Sequence, residues 1–194
     1  MLEARHILHL RLDAQRLAAH REMPAPRYAA KPQARQFNII GDAVITSVLG
    51  IDPVQFRQQL ERARQFGAEW IGRDSQNRPV GFSAVTSCIR TGSVVGKNLI
   101  APQNVLRCDD RLADHYVIAA FLNSGSDLDT VENVEVAGWA TTGEILQMKT
   151  PSAPPSFQSK LDVVMMPCAL LHPMNLLQSR LYAEPKEVVD EVSK

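Results

Sequence analysis

The chain has 194 residues, of which 45% are hydrophobic, and its 21 Lys and Arg residues balance its 21 Asp and Glu residues. This length and composition suit one globular domain with a sizeable core. No apolar run approaches the roughly 20 residues that span a bilayer. The first residues also lack the compact apolar stretch that is typical of a signal peptide. We therefore expect a cytoplasmic protein with no membrane partner.

The neutral total hides an uneven distribution of charge. Residues 1–40 hold seven Lys or Arg and three acids, a charge of +4, so the other residues, with 14 bases and 18 acids, carry −4. A basic segment of this kind can contact the phosphates of a nucleic acid. The alternative is a solvated helix face, because surface charges often contribute little energy.

The first predicted element is a helix over residues 2–22, which are rich in Leu, Ala, Arg and Gln and contain no Gly or Pro. His6 and His9 lie one turn apart in it, but a metal site would need a third ligand that the sequence does not supply. Three prolines then predict a linker over 23–32. We interpret residues 1–32 as an N-terminal helical arm with its linker, and a homodimer formed through this arm is one hypothesis.

Two more helices are predicted before the sheet. One covers residues 33–49 and ends at Gly50, a favourable C-terminal cap. The next begins with Asp52 as its N-cap and Pro53 in its first turn, and ends at Gly67.

Short runs of β-branched and aromatic residues, separated by Gly, Asn and Asp, predict a sheet. Residues 68–71 form a short strand before the polar turn 73–79, and the core of the sheet extends over 82–139. The run 116–122 is apolar almost throughout, which is typical of a strand covered on both faces, although a buried helix has the same pattern. Residues 134–139 alternate as a half-buried strand does.

The last third of the chain contains a Pro- and Ser-rich loop over 150–156, a short strand over 159–167 and a short helix over 174–181. A charged tail over 181–194 is expected to fray. The whole pattern predicts an α/β domain over 33–180, with a mixed central sheet flanked by helices.

Common catalytic motifs are missing from the sequence. It has no phosphate-binding glycine loop with its Lys, no paired-histidine zinc helix and no Gly-x-Ser-x-Gly serine elbow. Cys88, Cys108 and Cys168 are odd in number and widely spaced, so we expect reduced, buried thiols. Trp139 is interpreted as a core residue or a lid over the sheet edge, with the stacking of a nucleobase as the alternative.

Three segments together resemble a known family. They are SCIRTGSVVGKNLI (87–100), an expected strand-turn-strand; DHYVIAAFL with VEVAGWATTGEI (114–122 and 134–145), an apolar strand and a strand ending in Gly-Trp; and SKLDVVMMPCALLHPMNLL (159–177), a strand leading into a Leu-x-Pro helix. Their order is similar to that in the PD-(D/E)XK, or restriction-endonuclease-like, superfamily, and especially to small nuclease-like proteins of phages and prophages. The resemblance implies that family's core fold and a location in the bacterial host cytoplasm.

The resemblance also implies an active site in which an Asp and a Glu hold Mg²⁺ and a Lys activates or stabilises the attacking water. The alignment puts Ala84, Cys88 and Arg90 at the Asp, Glu and Lys positions, and Asp42 where relatives can place a supporting acid. Ala84 has no ligating atom, and a neutral Cys88 is too soft a ligand for Mg²⁺. Arg90 keeps a positive charge but does not release its proton near neutral pH. The expectation is a degenerate site without a cofactor.

A displaced metal site is the alternative, and it would restore an active Mg²⁺-dependent nuclease. Asp109, Asp110, Asp114 and His115 cluster at the start of the apolar strand, and Asp74 precedes the predicted hairpin. Two adjacent aspartates more often mark a solvated turn, in which case Asp114 caps the strand.

Four basic residues close in sequence predict a patch that holds phosphate without cutting. Arg73, Arg78, Arg90 and Lys97 lie in the predicted hairpin and the turns that flank it. An arginine at the Lys position still offers a planar, charged fork for phosphate. The alternative is that Arg90 forms an ion pair with Asp42 or another buried acid.

Three functions are therefore open. The first is a catalytically degenerate nuclease-like protein that binds nucleic acid or a protein that processes nucleic acid. The second is an active nuclease with relocated carboxylates, and the third is a structural or inhibitory protein that assembles through residues 1–32. The choice must come from the site, because a fold alone does not determine function.

Overall fold

The computed structural model describes residues 7–23, 32–89, 94–107, 109–123, 133–148 and 163–181. The helices of this part of the chain are α1 (Ala14–Arg21), α2 (Pro32–Leu49), α3 (Pro53–Gln65), α4 (Gln103–Leu106), α5 (Thr142–Gln147) and α6 (Met174–Leu181). The strands are β1 (Leu8–Arg11), β2 (Trp70–Arg73), β3 (Pro79–Ile89), β4 (Asn98–Pro102), β5 (Asp114–Asn123), β6 (Asn133–Thr141) and β7 (Val163–Pro167).

Five strands form a mixed sheet in the order β1–β6–β5–β3–β2. β3 and β5 are parallel, and the other neighbours are antiparallel. β4 and β7 form a separate antiparallel sheet of two strands. Helices flank the central sheet, so the predicted α/β class is confirmed.

β5 is the middle strand of the central sheet, and both of its faces are covered. One face, which includes Tyr116, Ile118 and Leu122, belongs to the hydrophobic cluster beneath α2 and α3. The other, which includes Val117 and Phe121, packs in a second cluster with the small sheet and α5. The apolar run is therefore a doubly covered strand, as predicted, and the helical alternative is wrong.

The predicted helix over 2–22 is wrong for residues 8–11. Residues 8–11 form β1, whose Leu8 and Leu10 are half-buried while His9 and Arg11 are exposed. This period-two alternation suits pairing with β6, and the tertiary pairing outweighs the helical composition. The segment is thus an edge strand of the central sheet, not a free helical arm.

The second half of the same segment is helical and packs into the core. The side chain of Asp13 caps α1 by accepting a hydrogen bond from the Arg16 N–H at 2.6 Å. Leu12 and Leu17 are buried in the cluster under α2. His6 and residues 24–31 of the expected linker lie outside the described residues, and a homodimer through residues 1–32 stays a prediction.

Both predicted helices before the sheet are confirmed. α2 ends at Leu49, and Gly50 follows with a φ of 65°, which favours glycine. Asp52 caps α3 by accepting hydrogen bonds from the N–H groups of Val54 and Gln55. The strand predicted over 68–71 begins two residues later, at Trp70.

The predicted strand-turn-strand over 87–100 does not form a hydrogen-bonded hairpin. β5 lies along one side of β3, and on the other side β2 pairs with β3 only from Pro79 to Phe82. β4 instead pairs with β7 in the small sheet. The connecting residues 90–93, which include Arg90, lie outside the described part of the chain.

The Gly-Trp sequence of β6 contacts the closing segment, residues 168–173 between β7 and α6. Trp139 is fully buried and exchanges two backbone hydrogen bonds with His172, at 3.0 and 2.7 Å. Its indole N–H also donates to the Pro173 carbonyl at 3.1 Å. The interpretation of Trp139 as a core residue is confirmed, and stacking of a base on it is wrong because its ring has no exposed face.

Cys168 is buried, as expected, but Cys88 is exposed on β3, so the prediction of a buried thiol is wrong there. Cys108 and the predicted loop and tail over 150–156 and 182–194 lie outside the described residues. Within the described ranges, no single helix is long and apolar enough to cross a membrane; α2 and α3 meet that criterion only when taken together, and they are bent by 116°.

Candidate functional site

The aligned nuclease positions lie along β3. Ala84 is half-buried and packs against the core under α2, where Gly41 leaves room for its methyl group. Cys88 follows four residues later, and its side chain is exposed. The part of the side chain that is buried is desolvated, and this raises the pKa of its thiol. A thiol with a raised pKa stays protonated near neutral pH, which further weakens it as a metal ligand.

Asp42 lies on α2 and is buried, at 6% exposure. Burial raises the pKa of its carboxyl well above the usual value; the charge of Glu69 raises it further, and Arg64 opposes the rise. Sequence reasoning did not find that Glu69, just before β2, lies close enough to Asp42 to affect its pKa. Within the described residues, no group of three or more His, Cys, Asp and Glu side chains is arranged to hold a metal ion.

The acids proposed for a displaced metal site have local roles. Asp74 accepts hydrogen bonds from the N–H groups of Gln76 and Arg78 and so closes the turn between β2 and β3. Asp114 accepts a hydrogen bond from the next backbone N–H at the start of β5. Asp110 is exposed, so the expected solvated turn accounts for it.

His115 is buried and forms a hydrogen bond with Ser83, Nε2 to Oγ, at 2.8 Å. Burial lowers the pKa of His115 to about 4, so the ring is neutral near pH 7. Its Nδ1 has no hydrogen-bond partner among the described residues. Ser83 is also buried, so this pair serves the packing of β3 against β5 and does not face a substrate.

Of the four basic residues predicted to form one patch, the structure describes Arg73, Arg78 and Lys97. Arg73 is paired with Pro79, at the beginning of the 11-residue strand β3. Lys97 comes after the other end of β3, and its carbonyl accepts a hydrogen bond from the Cys168 N–H. The single patch of these residues stays a prediction, and Arg90 is not among the described residues.

A different set of arginines surrounds a pocket at the β2 edge of the sheet. The pocket has a volume of about 510 Å³. Three elements supply one arginine each: α3 gives Arg62, the end of β2 gives Arg73, and the turn before β5 gives Arg111. None of the lining residues is acidic; the others are Gln59, Phe66, Ile71, Gly72, Pro79 and Leu112.

Backbone hydrogen bonds fix the turn that carries Arg111. The Asp109 N–H donates to the Phe66 carbonyl after α3, at 3.1 Å, and the Ala113 N–H donates to the Pro79 carbonyl, at 2.8 Å. The turn is thus tied both to the end of α3 and to the start of β3. This wall of the pocket is therefore held by two neighbouring elements, α3 and β3.

The three arginines differ in their surroundings. Arg62 has no hydrogen bond or ion pair in the described part of the chain, and Arg73 donates one hydrogen bond to the neutral Asn77 carbonyl at 2.7 Å. Arg111 forms a bidentate pair with Asp109, through Nε and Nη2, both at 2.7 Å. These hydrogen bonds lower the pKa of Asp109 to about 2.

Sequence reasoning found Arg73 in this pocket but missed Arg62 and Arg111. The spacing of Gln59, Arg62 and Phe66 on one face of a predicted helix was the available signal. Nothing in the sequence indicates that the turn with Arg111 returns to this helix. No protein-family model, curated protein or solved structure matches the chain.

Proposed function

We propose that this protein binds nucleic acid without cutting it, and that phosphate groups occupy the arginine-lined pocket. The observation that carries the proposal is the convergence of Arg62, Arg73 and Arg111 from separate elements on one cavity. Guanidinium groups are well suited to phosphate because they are permanently charged and carry several donors in a plane.

The charge balance of the pocket supports an anionic ligand. Arg62 has no charged partner among the described residues, and the partner of Arg73 is an uncharged carbonyl. Two positive charges therefore meet an entering phosphate without a carboxylate to offset them. Contacts of this kind release counterions from nucleic acid, so they make binding strongly dependent on salt.

We expect no cleavage because of the residues at the aligned positions of the resemblance. Ala84 offers no metal ligand, and Cys88 offers a protonated thiol. Asp42, the remaining acid, is buried with a raised pKa, so it is a poor ligand for a divalent cation. Binding by a fold that has lost its metal carboxylates is the function these side chains favour.

The test is the affinity for fluorescently labelled oligonucleotides, measured by anisotropy over a range of salt concentrations. We expect Arg62→Ala and Arg73→Ala each to weaken binding and to lower the slope of log K against log salt by about one. Arg57→Ala is the matched control, because Arg57 is also an exposed α3 arginine but lies outside the pocket lining.

Three results would contradict the proposal. Wild-type protein that binds neither single-stranded nor duplex oligonucleotides has another function. If variants at Arg62 and Arg73 keep the wild-type salt slope, the phosphates bind elsewhere on the protein. A control variant that loses as much slope as the pocket variants indicates a diffuse electrostatic attraction and no site.

A further inference from the structure

We infer that Arg111 is a stacking platform for an unpaired nucleobase, so that the ligand of the pocket is a single strand. The inference rests on the proposed function and assigns Arg111 a role that differs from those of Arg62 and Arg73. These two bind the phosphates on either side of a base that stacks on Arg111.

The guanidinium of Arg111 is held on one face and one edge. Its Cζ lies 4.3 Å from the centroid of the Phe66 ring, a cation–π contact. Its Nε and Nη2 edge is bound by the Asp109 carboxylate. The plane of the group is therefore fixed before any ligand arrives, which lowers the entropy cost of stacking.

The face of the Arg111 guanidinium opposite Phe66 suits a flat ring. A phosphate or a carboxylate binds an arginine best through a two-donor edge, and Asp109 already occupies one of the two such edges, Nε with Nη2, while its carboxylate offsets the positive charge of Arg111. The side chain is nevertheless 68% exposed. Since Phe66 covers one face of the guanidinium, the opposite face is free, and nucleobases stack on guanidinium planes in single-stranded recognition.

The rest of the pocket fits a nucleotide unit. Apolar side chains of Ile71, Pro79 and Leu112 lie beside the platform and favour an aromatic ring over water. A volume of about 510 Å³ is within the usual range of sites for small organic ligands. In a duplex the bases face each other and are not available, so stacking here requires an unpaired base.

The experiment measures the affinity for a single-stranded oligonucleotide and for a series of the same strand in which one position after another lacks its base. We expect wild-type protein to bind the intact strand more tightly than the duplex, and to lose about tenfold in affinity when the stacked base is missing. Arg111→Lys keeps the positive charge but removes the planar guanidinium group. It is expected to lose the same tenfold, to keep the wild-type salt slope, and to bind intact and abasic strands equally.

Arg57→Lys is the matched control. Arg57 is also an exposed arginine paired with an acid, Glu22, but it lies outside the pocket lining. We expect this control to bind as wild type does. The abasic comparison on the wild-type protein tests the inference even if an Arg111 variant folds poorly.

The outcomes separate this inference from the proposed function. If Arg111→Lys binds as wild type does, or if abasic strands bind as tightly as intact ones, Arg111 is not a stacking platform, although nucleic-acid binding stands. If Arg111→Ala lowers the salt slope by about one, Arg111 contacts a phosphate instead. Loss of all oligonucleotide binding, or equal competition by a polyglutamate peptide, overturns both proposals.

Discussion

Replacing Gly138 with alanine tests why strand β6 ends in Gly-Trp. Gly138 has a φ of 144°, a conformation that residues with a side chain rarely adopt. A methyl carbon there would lie 2.4 Å from the carbonyl oxygen of His172 and 3.0 Å from the Cβ of Leu171. The closing segment must therefore move away or the β6 backbone must change.

The expected cost combines two effects. An unfavourable backbone conformation costs about 1–3 kcal/mol, and overpacking against a fixed backbone costs about 1–3 kcal/mol more. Their sum, about 2–6 kcal/mol, is a large part of the roughly 5–15 kcal/mol by which a domain is stable. The clash lies at the two hydrogen bonds between Trp139 and His172, so relief of the clash also weakens these bonds.

Urea unfolding of wild type and variant measures this cost as the change in the free energy of unfolding at constant m-value. Gly143→Ala is the control, because Gly143 lies in α5 and its new methyl carbon would meet no atom closer than 3.9 Å. Alanine in a helix is favoured over glycine by about 0.5–1 kcal/mol, so the control should become slightly more stable. A loss below about 1 kcal/mol in Gly138→Ala would refute the close approach of His172 as the reason for this glycine.

Three further predictions concern the buried groups and the chemistry. Asp42→Asn should raise the free energy of unfolding at neutral pH and change it little near about pH 4. The reason is that the pKa of buried Asp42, next to Glu69, is raised in the native state, so the native state loses stability as pH rises through the pKa of the unfolded carboxyl. If urea unfolding shows the variant to be less stable than wild type by an amount that grows with pH, the prediction is contradicted. Ser83→Ala should cost about 1–3 kcal/mol in thermal or urea unfolding, because it leaves the buried Nε2 of His115 without its hydrogen bond, whereas half-buried Ser87 on the same strand should tolerate alanine better. Purified protein should not cleave DNA or RNA in gel assays with Mg²⁺ or Mn²⁺, and a cleavage activity that a chelator abolishes would instead support the active nuclease.

Local signals in the sequence predicted the elements that are stabilised locally or are buried on all sides. Asp52 and Gly50 set the ends of two helices through caps that need only neighbouring residues. The apolar run of β5 predicted a strand covered on both faces, although the same pattern also fitted a buried helix.

The misjudged elements depend on partners distant in sequence. Leu8 and Leu10 form a strand because β6 offers them an edge, whereas their neighbours have the composition of a helix. β4 pairs with β7, a strand more than 60 positions later in the chain, and the parallel neighbour of β3 is β5. Neither pairing is visible in a local pattern, because each partner lies far away in the chain.

The same reasoning explains why the candidate site could be predicted only in part. Basic residues near in sequence were grouped into one predicted patch, and that grouping took no account of Arg62 or Arg111. The pocket instead collects Arg62, Arg73 and Arg111, which are up to 49 positions apart in the chain and are brought together by α3, β2 and the turn before β5. Such a site is a property of tertiary structure.

The positions of the pocket and of the aligned nuclease residues bear on how binding and cleavage are related. The pocket lies at the beginning of β3, where Pro79 pairs with Arg73, and Cys88 lies nine residues farther along the same strand, roughly 30 Å away. The two aligned metal positions, Ala84 and Cys88, are thus roughly 17 and 30 Å along β3 from the pocket. Loss of the metal carboxylates would leave such a pocket unchanged, and substitutions in the pocket would leave the aligned positions unchanged. Binding and any cleavage can accordingly be tested with separate variants of the same chain.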